Sequence, residues 1–246
     1  MASLNGRTAL VTGGSRGIGA AIALRLAQDG ADVALTYVRD EKAAQEIVQK
    51  IESMGGRGIA LRADAADPAA VTAVVGRAAD ELGRLDILVN NAGVGVLGPI
   101  GTLTLADVDR VLAVNVRAVF LASQAAAARM ERGGRIISTG SCMSARVPGP
   151  GGTLYAMSKA ALTGLTKALA RELGGRGITA NLVLPGPVDT DMNPADGPYA
   201  GPQSELTALG RFGTPDEVAS TVSFLAGDEA AYMTGSEVLV DGGHAA

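Results

Sequence analysis

The sequence predicts an α/β fold in which a parallel sheet of seven strands is doubly wound, with helices on both faces. Short β-branched runs alternate with longer helical patterns along the chain, which is typical of this architecture. Several short runs are almost continuously apolar, as parallel strands covered on both faces should be. A glycine-rich turn joins the first short run to the first helical pattern.

The predicted strands are runs of four to six residues, each rich in residues that favour extended backbone. In chain order they are Thr8–Thr12, Asp32–Tyr37, Arg57–Arg62, Ile87–Asn90, Arg135–Thr139, Thr179–Leu184 and Glu237–Val240. We find no repeat, low-complexity tract or linker between them. We therefore predict a single domain, 1–246.

Two of the predicted helices begin with clear start signals. Asp67-Pro68 combines an N-cap side chain with proline at the first helical position. Thr214-Pro215-Asp216-Glu217 has the spacing of a capping box, again with proline at the first position.

Composition and charge exclude several classes of protein. The net charge is −4 and there is no long basic run, so we expect no nucleic-acid or membrane partner. No apolar run approaches the roughly 18 residues of a membrane span, and residues 1–7 lack the pattern of a signal peptide. We therefore expect a cytoplasmic protein. One cysteine, Cys142, and one histidine, His244, predict neither a disulfide nor a zinc site, and we expect no metal.

The segment Leu10–Gly19 predicts a strand, a glycine turn and a helix. Gly13, Gly17 and Gly19 let the backbone approach a pyrophosphate, and the free N–H groups of the helix N-terminus supply donors. The spacing is Gly-x-x-x-Gly-x-Gly instead of Gly-x-Gly-x-x-Gly. This pattern favours a Rossmann-type dinucleotide site over an ordinary structural turn.

The same glycine turn also matches the nucleophile elbow of a hydrolase. Gly13-Gly14-Ser15-Arg16-Gly17 has the form Gly-x-Ser-x-Gly, and His244 lies near the C-terminus as a hydrolase histidine would. However, that elbow follows several earlier strands, whereas one strand precedes Ser15 here. The order of the elements therefore argues against esterase chemistry.

A second candidate site opens a later helical stretch, where Tyr155 and Lys159 are four residues apart. Residues at this spacing share one helix face, so the ammonium should lie near the phenol. A nearby cation favours phenolate, and we expect Lys159 to lower the pKa of Tyr155 toward the range of an acid–base catalyst. A pair of surface neighbours would have the same spacing.

Six motifs occur in the order found in the short-chain dehydrogenase/reductase family, which the chain resembles over essentially its full length. They are Thr12-Gly13-x-x-x-Gly17-x-Gly19, Asn90-Asn91-Ala92-Gly93, Asn115, Ser141, Tyr155-x-x-x-Lys159 and Pro185-Gly186-x-x-x-Thr190. The resemblance is strongest to the bacterial 3-oxoacyl-carrier-protein-reductase-like group. It implies an oxidoreductase that transfers a hydride between NADPH and a ketone or secondary alcohol.

The resemblance also implies roles for individual residues. Tyr155 would be the general acid or base, Ser141 would position the carbonyl oxygen, and Asn115 would hold a water linking Lys159 to solvent. Lys159 would also bind the nicotinamide ribose. The implied cofactor-binding residues are Gly13, Ser15, Arg16, Gly17, Ile18, Gly19, Tyr37, Arg39, Asp64, Asn91, Ala92, Gly93, Tyr155, Lys159, Pro185, Gly186, Val188 and Thr190.

The chain departs from the carrier-protein reductases at the catalytic serine. Ser141 lies 14 residues before Tyr155, whereas a spacing of 13 is common in the carrier-protein reductases. A spacing of 13 would place Cys142 at the serine position. Ser138 and Ser144 are also near. We choose Ser141 because it follows Gly140 at the predicted strand end. The extra residue would reshape the substrate pocket and makes a carrier-bound substrate less expected.

The end of the second predicted strand favours NADP(H) over NAD(H). An NAD-binding fold usually places a carboxylate there for the ribose 2′-hydroxyl, but this chain has Tyr37. Arg16 and Arg39 are both placed to reach a 2′-phosphate, for which the planar guanidinium is well suited. Both could instead be ordinary surface arginines, with Asp40 and Glu41 balancing their charge.

Two further expectations concern the lid and the assembly. Residues 185–213 hold five of the ten prolines and follow a strand's carboxyl end, so we predict a substrate lid there. A surface loop without a function is the alternative. Leu105–Met130 and Tyr155–Leu173 are richer in alanine than one sheet face requires. In the family the corresponding helices pair across a two-fold axis and the C-terminal strand forms a second interface, which implies a homotetramer.

Two other functions share these motifs. A nucleotide-sensing or regulatory protein on the same fold would not need Ser141, Tyr155 and Lys159 together. An epimerase or dehydratase would keep the tyrosine and lysine, hold its cofactor tightly and consume no net NADPH.

Overall fold

The computed structural model describes residues 3–246, and the first two residues of the predicted domain 1–246 lie outside the described residues. Residues 3–246 form a sheet of seven parallel strands in the order β3-β2-β1-β4-β5-β6-β7. Its strands are β1 (Thr8–Val11), β2 (Asp32–Tyr37), β3 (Gly58–Arg62), β4 (Ile87–Asn90), β5 (Arg135–Thr139), β6 (Thr179–Pro185) and β7 (Glu237–Val240).

This sheet confirms the predicted fold class and places every predicted strand within one residue of its observed end. The helices are α1 (Gly17–Gln28), α2 (Glu41–Ser53), α3 (Pro68–Leu82), α4 (Leu105–Leu112), α5 (Ala118–Arg129), α6 (Thr153–Leu173), α7 (Ala200–Glu205) and α8 (Pro215–Ala226).

Both predicted helix starts are present. The Asp67 carboxylate accepts hydrogen bonds from the backbone N–H groups of Ala69 and Ala70, directly before α3. Thr214 and Glu217 cap each other reciprocally at the start of α8. These local bonds satisfy N–H groups that a helix cannot pair internally.

The strands are buried on both faces, which explains their continuous apolar sequences. Along β1, Ala9 and Val11 belong to the apolar core that includes residues of α1, α2 and α8, whereas Leu10 belongs to the core on the opposite face, with residues of α3, α5 and α6. Successive side chains of a strand point to opposite faces, so each face here has its own apolar core. The strand order reverses between β1 and β4, and ligands bind at the carboxyl ends beside such a reversal.

A π-helical turn, Ala113–Arg117, joins α4 to α5. The three elements form one continuous helical stretch, Leu105–Arg129, whose length and apolar composition would suit a membrane span. It is not an uninterrupted apolar run, because Asp107, Asp109, Arg110 and Arg117 lie within it. Since 56% of its most apolar window is buried inside the fold, core packing accounts for its composition.

Candidate active site

A cavity of about 1920 Å³ runs along the carboxyl ends of the strands. It extends from Arg39 and Asp64 at one end, past the glycine loop, to Ser141, Tyr155 and the segment after β6. The sequence-predicted site residues lie in its wall, apart from Asn115, which lies behind Gly93 and Val94. The fold therefore brings both candidate sites into one cleft.

The glycine loop has the geometry that a pyrophosphate requires. Gly13 and Gly17 have positive φ angles of 65° and 55°, which favour glycine. A Cβ on Gly19 would overlap the Gly13 carbonyl oxygen and lie 2.5 Å from Asn91 Nδ2. The loop also depends on Thr36 of β2, whose hydroxyl accepts a hydrogen bond of 2.9 Å from the Gly13 N–H.

The Asn-Asn-Ala-Gly motif after β4 supports this loop. Asn91 Nδ2 donates to the carbonyl oxygens of Thr12 and Gly13 at 3.1 and 3.2 Å. The Thr12 hydroxyl in turn accepts from the backbone N–H groups of Asn91 and Ala92. Asn90 faces the core, where its amide donates to hydroxyls on α5 and β5. The motif is therefore more than a strand-ending turn.

The far end of the cavity carries the residues predicted to select the cofactor. Tyr37 is buried at the last position of β2, and Arg39 follows it with an exposed side chain. Arg16 is also exposed, and its guanidinium lies 3.3 Å from the Asp191 carboxylate. Asp64 is exposed at the wall after β3, where its carboxylate accepts from the Ala66 N–H. No carboxylate stands at the end of β2.

Tyr155 and Lys159 lie on one face of α6 as predicted, with Lys159 Nζ 5.9 Å from the centre of the tyrosine ring. The expected effect on the phenol is wrong in direction. Burial raises the pKa of Tyr155 above its ordinary value, and the neighbouring Ser141 hydroxyl offsets part of that rise. Desolvation disfavours the phenolate more than the surrounding groups favour it.

Lys159 is buried deeply and bonds to the sheet. Its Nζ donates to the Thr139 carbonyl oxygen at 2.9 Å, and burial lowers the pKa of Lys159 to about 8. The ammonium therefore contacts the end of β5 and does not contact the phenol oxygen directly. A Cβ on Gly93 would lie 3.4 Å from Nζ, so the backbone after β4 passes close to the ammonium.

Ser141 was chosen as the catalytic serine over Ser138, Cys142 and Ser144, and the structure distinguishes among these four residues. Ser141 lies in the cavity wall and acts on the Tyr155 pKa. The Ser138 hydroxyl is turned into the core toward Asn90, and the Ser144 hydroxyl donates to the Ser141 carbonyl oxygen. Burial raises the pKa of the Cys142 thiol to about 11, which keeps it neutral.

Asn115 lies in the π turn, and its side-chain amide bonds to the loop after β4 and to α6. Its Oδ1 accepts from the Val94 N–H and its Nδ2 donates to the Val94 carbonyl oxygen, both at 2.9 Å. Nδ2 also donates to the Ser158 hydroxyl, which donates to the Tyr155 carbonyl oxygen. Asn115 is thus a buried link between the cavity wall and the first turn of α6, not a surface residue.

The segment 185–213 is folded over the cavity and contains α7. Gly186 has no space for a side chain, because a Cβ would lie 2.7 Å from Asp241 Cα. Val188 is buried and pairs with Gly213, so the two ends of the segment lie side by side. Asn193 and Gln203 bond to each other through both amides at 2.9 and 3.0 Å.

Sequence reasoning missed several residues of the cavity wall. Thr36, Thr139 and Gln203 carry no recognisable motif, and their roles depend on contacts between distant segments. His244 was considered for a hydrolase pattern and for a zinc site, yet it is buried in the wall of this cavity. Within residues 3–246 no group of three or more His, Cys, Asp or Glu is placed to hold a metal ion.

The cleft fits a dinucleotide. Side chains are excluded where a phosphate would approach, because a Cβ on Gly13 would lie 3.0 Å from Ala92 Cα and Gly19 has no room for one. The Thr139 hydroxyl is buried at the cavity wall without a hydrogen-bond partner in the described part of the chain, so a ligand there would satisfy it. This fold and cleft define a dinucleotide-binding oxidoreductase.

The comparisons with known proteins agree, and the chain belongs to the short-chain dehydrogenase/reductase family. A family model described as Enoyl-(Acyl carrier protein) reductase matches residues 13–245. A short-chain dehydrogenase of Burkholderia cenocepacia, solved in complex with NADP, is 56% identical over 99% of both chains, with a TM-score of 0.98.

Two curated relatives differ in what they are named for. A "Cyclic-di-GMP-binding biofilm dispersal mediator protein" of Escherichia coli is 46% identical over 98% of both chains. A 3-oxoacyl-carrier-protein reductase of Staphylococcus aureus is 41% identical, covering 96% of this chain and 97% of the relative. The resemblance to the carrier-protein-reductase-like group is confirmed. The chain is an enzyme that acts on alcohol or carbonyl groups with a nicotinamide cofactor.

Proposed function

We propose that the protein reduces a ketone to a secondary alcohol with NADPH, with Tyr155 as the general acid. The observation that carries the proposal is the meeting of Ser141, Tyr155 and Lys159 at one wall of the dinucleotide cleft. NADPH, when bound, supplies the hydride to the carbonyl carbon. The proton added to the carbonyl oxygen comes from Tyr155, so the products are the alcohol and NADP⁺.

Each residue has a distinct role in this proposal. The Ser141 hydroxyl donates a hydrogen bond to the carbonyl oxygen and orients it toward the Tyr155 phenol. Lys159 binds the nicotinamide ribose and places a positive charge behind the site. Asn115 fixes Val94 and Ser158, and one acceptor site remains on its Oδ1 for a water that returns protons from solvent.

The protonated state of the Tyr155 phenol suits ketone reduction. Because burial keeps the phenol protonated at neutral pH, the proton donor required for reduction is present in the resting enzyme. Oxidation of an alcohol would require the phenolate, which the same burial disfavours. We expect alcohol oxidation to need a higher pH than ketone reduction.

NADP(H) is the preferred cofactor, and we propose that Arg16 and Arg39 recognise its 2′-phosphate. The relative from Burkholderia cenocepacia was solved with NADP. In this chain both arginines are exposed beside the cavity, and the end of β2 has no carboxylate to repel a phosphate. The remaining cofactor contacts follow the residues named from the sequence, with Pro185, Gly186, Val188 and Thr190 next to the nicotinamide.

We also propose that residues 185–213 act as a lid on a single domain. Met192 and Tyr199 line the cavity and remain 61% and 74% exposed, so they are available to a substrate. The amide pair Asn193–Gln203 holds α7 to the part of the segment that precedes it. Closure of this segment would exclude water from the reacting carbonyl.

Substitution of Tyr155 by phenylalanine tests the catalytic assignment. Tyr155→Phe keeps the ring and removes the proton donor, so kcat/KM for ketone reduction should fall about 10²–10⁴-fold. NADPH binding should persist, because the glycine loop is unchanged. Tyr232→Phe is a matched control, since Tyr232 is fully exposed and lies outside the cavity wall. Near-normal turnover in Tyr155→Phe would contradict the assignment.

A second candidate function is nucleotide sensing without significant catalysis. The relative named for cyclic-di-GMP binding is the observation that favours it. NADPH oxidation with a panel of ketones and β-ketoacyl thioesters, followed at 340 nm, separates the two functions. Binding of cyclic-di-GMP together with absent turnover would favour the sensor. An epimerase or dehydratase would instead change its substrate without net NADPH consumption.

We propose a cytoplasmic homotetramer as the working form. Exposed apolar side chains lie on the helices named from the sequence, including Leu105, Phe120 and Met157 at 74%, 51% and 49% exposure. Leu239 on β7 is also 47% exposed, at the free edge of the sheet. Light scattering at micromolar concentration should give the mass of four chains, and the mass of a monomer would contradict this assembly.

A further inference from the structure

His244 is a buried polar side chain of the cavity wall that the proposed mechanism does not use. It lies on the turn after β7, is 3% exposed, and lines the same cavity as Ser141 and Tyr155. A buried histidine usually bonds to protein or water. The hydrogen bonds around His244 therefore show whether its ring nitrogens are free to bind a ligand.

The turn that carries His244 is held tightly by its backbone. The Asp241 carboxylate accepts from the N–H groups of Gly243 and Ala245 at 3.0 and 2.8 Å. The His244 N–H donates to the Asp241 carbonyl oxygen at 3.1 Å, and Arg146 donates to the His244 carbonyl oxygen at 2.8 Å. These bonds fix the position of the imidazole without using either of its nitrogens.

The imidazole itself is unpaired in the described part of the chain. Nδ1 is enclosed and has no hydrogen-bond partner. An enclosed N–H without an acceptor costs more than an enclosed lone pair, so we assign the proton to Nε2. Burial lowers the pKa of His244, with Asp241 opposing and Arg146 reinforcing that shift, so the ring is neutral. A neutral ring of this tautomer offers one donor, Nε2–H.

The wall around His244 indicates an uncharged ligand. The segments 94–99, 141–152 and 199–206 contribute apolar, glycine, proline, amide, hydroxyl and thiol groups to the cavity, and none of their lining residues is charged. His244 adjoins the segment 141–152, because Arg146 bonds its carbonyl oxygen and Asp241 acts on the Cys142 thiol. The turn that carries His244 therefore adjoins the segment that carries Ser141.

We propose that His244 donates a hydrogen bond from Nε2–H to a second oxygen of the substrate, which makes the preferred substrates uncharged ketones that carry another carbonyl or hydroxyl group. This inference rests on the proposed reductase function. A site that hydrogen-bonds a substrate oxygen discriminates strongly against an analogue that lacks it. His244 is therefore a specificity-determining residue, separate from the groups that transfer the proton.

The test compares four ketones of equal chain length: 2-hexanone, 2,3-hexanedione, 2,4-hexanedione and 2,5-hexanedione. The kcat/KM of each is measured by NADPH oxidation for the wild type, His244→Leu and His244→Gln. His244→Leu should lower kcat/KM about tenfold or more for at least one dione and less than about threefold for 2-hexanone. His244→Gln retains an N–H near Nε2 and should restore most of that loss. For each ketone, the ratio of the variant's kcat/KM to that of the wild type cancels the intrinsic reactivity of the ketone.

Equal losses for all four ketones in His244→Leu would overturn this proposal and leave the reductase function standing. If NADPH binds but none of the four ketones causes its oxidation, both this proposal and the reductase function are overturned. A second measurement uses the wild type alone, in case His244→Leu does not fold. With NADPH bound, at least one of 2,3-, 2,4- and 2,5-hexanediol should inhibit about tenfold more tightly than 2-hexanol. Equal inhibition by all four alcohols would contradict the proposal.

Discussion

Replacement of Lys159 by methionine should stabilise the apo fold at neutral pH while it abolishes efficient turnover. The side chain is buried at 5% exposure, and its ammonium has one backbone acceptor, the Thr139 carbonyl oxygen. Methionine is of similar length and carries no charge. Lys159→Met therefore removes the cost of burying a cation, and also the group that binds the nicotinamide ribose in the proposed mechanism.

The magnitude follows from the pKa of Lys159. Burial lowers it from 10.5 to about 8, a shift of 2.5 that corresponds to about 3 kcal/mol at pH 7. Loss of the hydrogen bond to Thr139 costs the variant about 1 kcal/mol. The net expectation is that Lys159→Met unfolds with a free energy about 2 kcal/mol higher than the wild type at pH 7.

The size of this difference depends on pH in a defined window. Between pH 8 and pH 10.5 the unfolded wild type binds more protons than the folded wild type, so the wild type becomes more stable as pH rises. Below pH 8 the folded wild type bears the full cost of burying the Lys159 ammonium. By pH 10 most of this cost should be gone, and the two proteins should have nearly equal free energies of unfolding.

Urea unfolding of both proteins without cofactor, at one protein concentration and at pH 7, 8, 9 and 10, measures this difference. Other groups that titrate in this range are common to both proteins and cancel. A difference that stays constant across the four pH values would refute the reasoning, because it would show that Lys159 does not change protonation in this window on folding. Lys167→Met is a matched control, since Lys167 lies on the same helix and is largely exposed.

Three further outcomes are expected. The double variant Arg16→Ala/Arg39→Ala should lose about 10- to 100-fold in kcat/KM for NADPH and little for NADH, and an NADPH preference that survives would exclude these arginines from the 2′-phosphate site. Gly19→Ala should weaken NADPH binding about 100-fold in a fluorescence titration, because the added Cβ would displace the Gly13 carbonyl. Thr214→Ala should lower the free energy of unfolding by about 1 kcal/mol through loss of the α8 cap, with kcat unchanged.

The fold could be predicted closely because its signals are local. The strands are apolar runs bounded by turn residues, and the caps at Asp67 and Thr214 depend on side chains within three residues of the helix start. The segment 185–213 was harder, because its short helix and the Asn193–Gln203 pair form only when the segment packs over the cavity. Nothing in the prolines of that segment indicates where α7 begins.

The electrostatics of the site could not be predicted from spacing. Four residues on a helix bring Lys159 near Tyr155, but the pKa of the phenol depends on how deeply both groups are buried. The ammonium is directed to the Thr139 carbonyl at the end of β5, a residue that no helical pattern could connect with it. Spacing therefore identified the pair, whereas the direction of the pKa shift required the packing of α6 against the sheet.

The π turn at Asn115 shows how a local irregularity serves the site. π turns are rare and occur often at functional positions, because one extra residue changes the direction in which the following side chains point. A regular helix would have been the expectation from the sequence of Leu105–Arg129. The turn instead directs the Asn115 amide to both polar backbone atoms of Val94 and to the Ser158 hydroxyl. The loop after β4 and the first turn of α6 are thereby held in one arrangement, so the distance between the dinucleotide cleft and Tyr155 is set by a side chain that needs no contact with the substrate.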